Sequence, residues 1–124
     1  MSKLTATFQS GDWKNEKHVP LIKAPQSAKK DESFLVSVVV GEEIAHPNTF
    51  EHYIKWIKLY FKPDSGKFPI EVASVSFDAH GEAGVFTDYC ADVLLKIQES
   101  GELMAMSYCN IHGLWENSVS ITCE

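Results

Sequence analysis

Cys109 and His112 close the motif Cys109-Asn110-Ile111-His112, which runs directly into Gly113-Leu114-Trp115. A thiolate and an imidazole at that spacing can bind one ion. Such donors select transition metals over magnesium or calcium. Three more histidines stand in the first half of the chain, in Glu16-Lys17-His18-Val19-Pro20 and His46-Pro47-Asn48-Thr49-Phe50-Glu51-His52. Pro47-Asn48 is a turn-forming pair, so the loop it opens can bring His46 and His52 to one centre. Proline at 20 stiffens the approach to His18. Structural zinc is closed with four donors. Four imidazoles and one thiolate instead suit an ion that prefers six positions, with one left vacant, and iron fits that description. A thiolate opposite an open position suits redox chemistry on a small oxygen species.

The elements that must hold these donors read as strands. Residues 33–40 and 53–62 are rich in β-branched and aromatic side chains and end at Gly41 and at Pro63-Asp64-Ser65-Gly66. Residues 70–77, 93–97 and 103–108 follow, and Glu99-Ser100-Gly101-Glu102 reads as the turn of a hairpin joining the last two. Val119, Ile121 and Cys123 alternate with polar residues as a half-buried final strand. No window carries a helical period. Residues 9–32, 41–52, 79–88 and 110–117 read as loops, so the candidate ligands lie on loops or strand ends of an all-β sandwich or barrel.

Composition sets the remaining bounds. The 124 residues fit a single domain, and 44% hydrophobic with 23% charged residues is ordinary for a globular chain. A formal charge of −6 argues against nucleic acid. Residues 1–5 begin no apolar leader, and no stretch reaches the roughly 20 apolar residues that cross a membrane. The expected location is the cytoplasm. Three cysteines, at 90, 109 and 123, are too few and too scattered for a disulfide framework. Cys90 and Cys123 are expected to be small buried hydrophobes.

The three motifs together resemble the superoxide reductases, in particular the one-iron neelaredoxin type of the desulfoferrodoxin family. The resemblance runs from about Ser10-Gly11-Asp12-Trp13 to the C-terminus. With no cysteine before Cys90, the four-cysteine second centre of the two-iron relatives is absent from this sequence. The resemblance implies an immunoglobulin-like β-sandwich of about seven strands over residues 1–124. It implies one iron per chain, held by His18, His46, His52, His112 and an axial Cys109. It also implies one-electron reduction of superoxide to hydrogen peroxide, re-reduction by a rubredoxin-like donor, and a homo-oligomer, with a tetramer one form.

On the same basis Lys17 attracts the anionic substrate, and Glu16 is expected to cap the ferric ion at the sixth position. His80 falls outside the motifs and is expected to be a structural or surface histidine. The backbone N–H groups of Asn110 and Ile111 are expected to point at the sulfur, and Trp115 to pack over the site or in the core. Rival readings are a copper electron-transfer module, disfavoured because Met104 and Met106 precede the cysteine and no methionine follows His112, a zinc-bearing binding module, and superoxide dismutation at the same iron.

Overall fold

A computed structural model describes residues 3–124. Met1 and Ser2, the first two residues of the stretch read for a leader, lie outside the described residues. Eight strands form: β1 (Leu21–Lys23), β2 (Ser27–Ala28), β3 (Phe34–Val39), β4 (Ile54–Pro63), β5 (Ile70–Ser76), β6 (Cys90–Leu95), β7 (Gly101–Cys109) and β8 (Gly113–Cys123). Only two short 3-10 turns, Thr5–Thr7 and Glu82–Gly84, break the all-β pattern among the described residues.

Period-two alternation decides which way each strand faces. β7 alternates without a fault, with Leu103, Ala105, Ser107 and Cys109 all turned inward and at most 1% exposed. Val36 and Val38 of β3 meet Ile57 and Leu59 of β4 in the same core. Two sheets enclose it, one of order β1-β3-β6 and one of order β2-β8-β7-β4-β5. The result is an immunoglobulin-like sandwich. It has one strand more than the sequence predicts, and among the shortest is the two-residue β2, paired in parallel with β8.

The topology corrects three local readings. β6 and β7 do not form a hairpin: β6 pairs with β3 and β7 with β4 and β8. The turn between them carries the chain from one sheet to the other. The hairpin that β7 does form is with β8 at its other end, where the register closes at Cys109↔Gly113, so the Cys-x-x-His motif is itself the turn. β8 therefore starts at Gly113, well before Val119. Its early residues Glu116 and Ser118 face outward and are exposed, and this hides the strand in the sequence. Finally, the 9–32 region contains β1 and β2, too short to show a period.

Candidate metal centre

His18 is fixed from three sides. The fully buried Ser107 hydroxyl donates to its backbone carbonyl at 3.0 Å, and the Trp115 ring from β8 stacks on its imidazole at 4.8 Å and 10°. Glu16 Oε1 accepts both the His18 backbone N–H, at 3.1 Å, and Nδ1–H, at 2.6 Å. The tautomer is thereby set, and Nε2 is left as the free donor. Glu16 thus sits on the outer nitrogen of His18, at the back of the ring.

His46 is oriented in the same manner. Its Nδ1–H donates to the Pro47 carbonyl at 2.7 Å, and its Nε2 lies 3.5 Å from Cys109 Sγ. The Tyr89 hydroxyl donates to that same carbonyl at 2.9 Å. The loop reaches this position by crowding Gly41, where φ is +85° and a Cβ would stand 2.7 Å from the His46 nitrogen. Gly41→Ala is therefore expected to cost about 1–3 kcal/mol and to weaken metal retention, as read by thermal melting with and without added cobalt(II).

His52 is held by a local turn, in which its N–H meets Thr49 Oγ1 at 3.0 Å and its carbonyl accepts the Thr49 N–H at 3.1 Å. Its Nε2 is the buried side-chain nitrogen or oxygen left without any hydrogen-bond partner among the described residues. Such an orphan is costly unless something else uses it.

Cys109 and His112 come from the β7–β8 turn. The Sγ receives the backbone N–H of His112 at 3.3 Å and lies 3.7 Å from His112 Nδ1. The Asn110 N–H, expected at the sulfur, goes to the Tyr53 carbonyl at 3.2 Å instead. Asn110 is a clamp: its side chain accepts from Tyr53 N–H at 2.9 Å and donates to the Glu51 carbonyl at 3.0 Å. It ties the Cys-x-x-His turn to the residues flanking His52. Spacing alone gives no hint of this.

The four rings close a circuit. Centroid separations are 4.8 Å for His18–His46, 4.6 Å for His46–His52, 5.0 Å for His52–His112 and 4.8 Å for His112–His18. Across it, His18 and His52 are 6.4 Å apart. Neighbours are turned 59° to 74° from each other, so edges rather than faces meet. The donor atoms of His18, His46, His52 and Cys109 all lie within 4.8 Å of one another. Donors bound at about 2.0–2.3 Å to one ion can stand at most about 4.6 Å apart, so this separation is near the limit for a shared ion. His112 Nδ1, 3.1 Å from His18 Nε2, completes the circuit. The orphaned His52 nitrogen and the mixed nitrogen–sulfur donor set both fit a transition metal.

The electrostatics favour the neutral, ligating form of His18, His46 and His52. His46 is pushed down from 6.5 to about 4, by burial first and then by the charges that His18, His52 and Lys17 would carry beside it. His18 and His52 are lowered too, burial again leading. The Lys17 ammonium contributes to all three, so its charge lies within reach of the whole cluster. Burial would raise the Glu16 carboxyl, but the hydrogen bonds from His18 outweigh it and hold it low.

Other sequence candidates lie elsewhere. Cys90 is exposed, against expectation. It points outward from β6, where its Sγ donates to Asp92 at 3.4 Å. Cys123 is half-buried behind the Ile97 carbonyl. Met104 and Met106 face outward from β7, on the side opposite Cys109, so neither supplies the axial thioether of a copper module.

Fold and donor set together define a β-sandwich with a mixed histidine–cysteine metal centre. The desulfoferrodoxin family model matches residues 10–118, and the chain belongs to that family. It is 48% identical to a neelaredoxin of Megalodesulfovibrio gigas, over 98% of this chain and 99% of the relative. It is 47% identical to a superoxide reductase of Pyrococcus furiosus, over 95% and 98%. The solved structure of a superoxide reductase (neelaredoxin) from Archaeoglobus fulgidus, in the reduced form, superposes with a TM-score of 0.86 at 46% identity, over 94% and 98%. Among the described residues no helix is long and apolar enough to cross a membrane.

Proposed function

We propose that this chain is a superoxide reductase carrying one iron, held by His18, His46, His52, His112 and Cys109. The observation that carries the reading is the closed circuit of four imidazoles beside a buried cysteine sulfur. When bound, the ion supplies one-electron exchange between its ferrous and ferric forms. In the net reaction superoxide gains one electron and two protons and leaves as hydrogen peroxide.

The chain's own groups prepare that reaction. Lys17 sets a positive charge beside the cluster, which counters the −6 of the whole chain within a Debye length of about 8–10 Å. The His112 N–H on Cys109 Sγ withdraws charge from the sulfur and would tune the potential of a bound ion. The Glu16 carboxylate, seated on His18 Nδ1, would be the hard oxygen donor available to the ion in its ferric form.

The remaining parts of the proposal are a single cytoplasmic domain, a small rubredoxin-like protein as the electron source, and a homo-oligomer, in which a tetramer is one form. The outward face of the five-stranded sheet supports the last. Trp56 and Tyr108 stack there at 5.8 Å, and Tyr60, Met104 and Met106 line a groove of about 330 Å³.

The test is stopped-flow mixing of the ferrous protein with superoxide. One ferric ion formed per superoxide, with no oxygen released, supports reduction; oxygen release indicates dismutation. Lys17→Ala is expected to slow the second-order step about 10-fold at low ionic strength and to flatten its salt dependence. An unchanged rate removes Lys17 from substrate attraction.

A further inference from the structure

The fifth histidine, His80, is 7% exposed and lies outside the circuit. Its two ring nitrogens are both occupied. Nε2 meets the Phe77 carbonyl at 2.7 Å, and Nδ1 meets Asn48 Oδ1 at 2.8 Å. A carbonyl can only accept. The amide of Asn48 is oriented by its own donation, Nδ2 to the Thr87 carbonyl at 3.0 Å, and this turns its oxygen to His80. Both ring nitrogens are therefore engaged, one with the backbone of the 77–87 segment and one with the side chain of Asn48 in the 46–52 loop.

The ring is boxed in on its other sides. It stacks on Tyr53 at 4.1 Å and 23°, and Tyr89 lies 6.5 Å away. Its backbone N–H donates to the Glu82 carboxylate at 2.6 Å. The segment behind it is closed by Thr87, whose N–H donates to the Ala79 carbonyl at 2.8 Å while its Oγ1 accepts the Ala79 N–H at 3.1 Å.

Three of these contacts lead to the metal loop. Asn48 is two residues after His46, Tyr53 is next to His52, and Tyr89 donates to the Pro47 carbonyl and lies edge-on to the His46 ring. We propose that His80 is the positioning residue of this centre: a ring held at both nitrogens, which locks the 46–52 loop to the 77–87 segment and thereby aims His46 and His52. The inference rests on the metal reading of the cluster.

Chelator competition for cobalt(II) tests it in the unaltered chain, His80→Phe, Asn48→Ala and the double variant. Phenylalanine keeps an aromatic on Tyr53 but donates nothing. Each single change is expected to weaken cobalt(II) affinity about 10-fold or more, and the double change no more than the worse single. The core variant Ile121→Val, remote from the loop, should lose stability and leave cobalt(II) affinity alone. Unchanged affinity in His80→Phe, or losses that add in the double variant, would overturn the role.

Asn48→Ala, which leaves the ring in place and removes only its contact with the loop, decides even if His80→Phe does not fold. Weakened cobalt(II) affinity there supports the proposal, and unchanged affinity defeats it. Failure of the unaltered chain to bind cobalt(II) would sink the metal reading and with it this role. Normal binding without loss in the variants removes His80 alone.

Discussion

Cys109→Ser protein is expected to fold, to bind iron poorly, and to lose the visible absorption of the oxidised protein entirely. The fold should survive because the side chain ends an inward row on β7 whose other members are unchanged. A hydroxyl fills nearly the volume of the thiol, so the loss of stability should stay within about 1 kcal/mol. The chemistry does not survive. A serine hydroxyl stays protonated at neutral pH, cannot give the charge-transfer band of a thiolate, and is too hard a donor to replace sulfur.

The loss of affinity should exceed the roughly 10–100-fold that removal of an outer hydrogen-bond partner causes, because a ligand itself is gone. Chelator competition and an oxidised-minus-reduced spectrum measure both effects. Any remaining thiolate band would have to come from Cys90 or Cys123. Cys90 is exposed on β6 and Cys123 lies against the Ile97 carbonyl, so such a band would overturn Cys109 as the ligand.

The ligand types were legible in the sequence because soft and borderline donors are scarce and their spacing is diagnostic. What held them was not. Ser107, Asn110 and Asn48 are ordinary polar residues, and their roles arise from strands that meet only after folding. Ser107 reaches the His18 carbonyl across 89 positions of chain. Glu16 was legible as a carboxylate near the ligands, but its seat on the outer nitrogen of His18 depends on the local backbone path. In the fold, long strands with a buried alternate face announced themselves, as in β3, β4 and β7. The 93–108 stretch misled because a turn signature says that the chain reverses without saying into which sheet. β8 misled because alternation shows only when the outward residues contrast with the inward ones. At its start Gly113 and Leu114 are both half-buried.

Stability of the metal-free chain is expected to fall between pH 6.5 and about 4, the window set by His46. In the folded state its ring binds a proton more weakly than in the unfolded chain, where 6.5 applies. Above that value both states are neutral and the full stability is present. As the pH falls, the unfolded chain takes up protons first, and the loss is complete only below the folded value. A shift of that size amounts to about 3 kcal/mol for one buried ring, and His18 and His52 are displaced in the same direction and add to it.

Urea unfolding at a series of pH values measures the slope. His46→Gln removes the titrating ring and should flatten it across this window. Carboxylates cannot imitate the effect. The Glu16 carboxyl is held below 4.5 in the fold, so its contribution is lost only from about there downward. A flat profile from pH 7 to 4.5 would mean that the rings are not held neutral, and the centre would then have to expel protons before any metal could enter. A falling profile means that the fold itself has already met that cost, keeping the lone pairs of His18, His46 and His52 available to a cation at neutral pH.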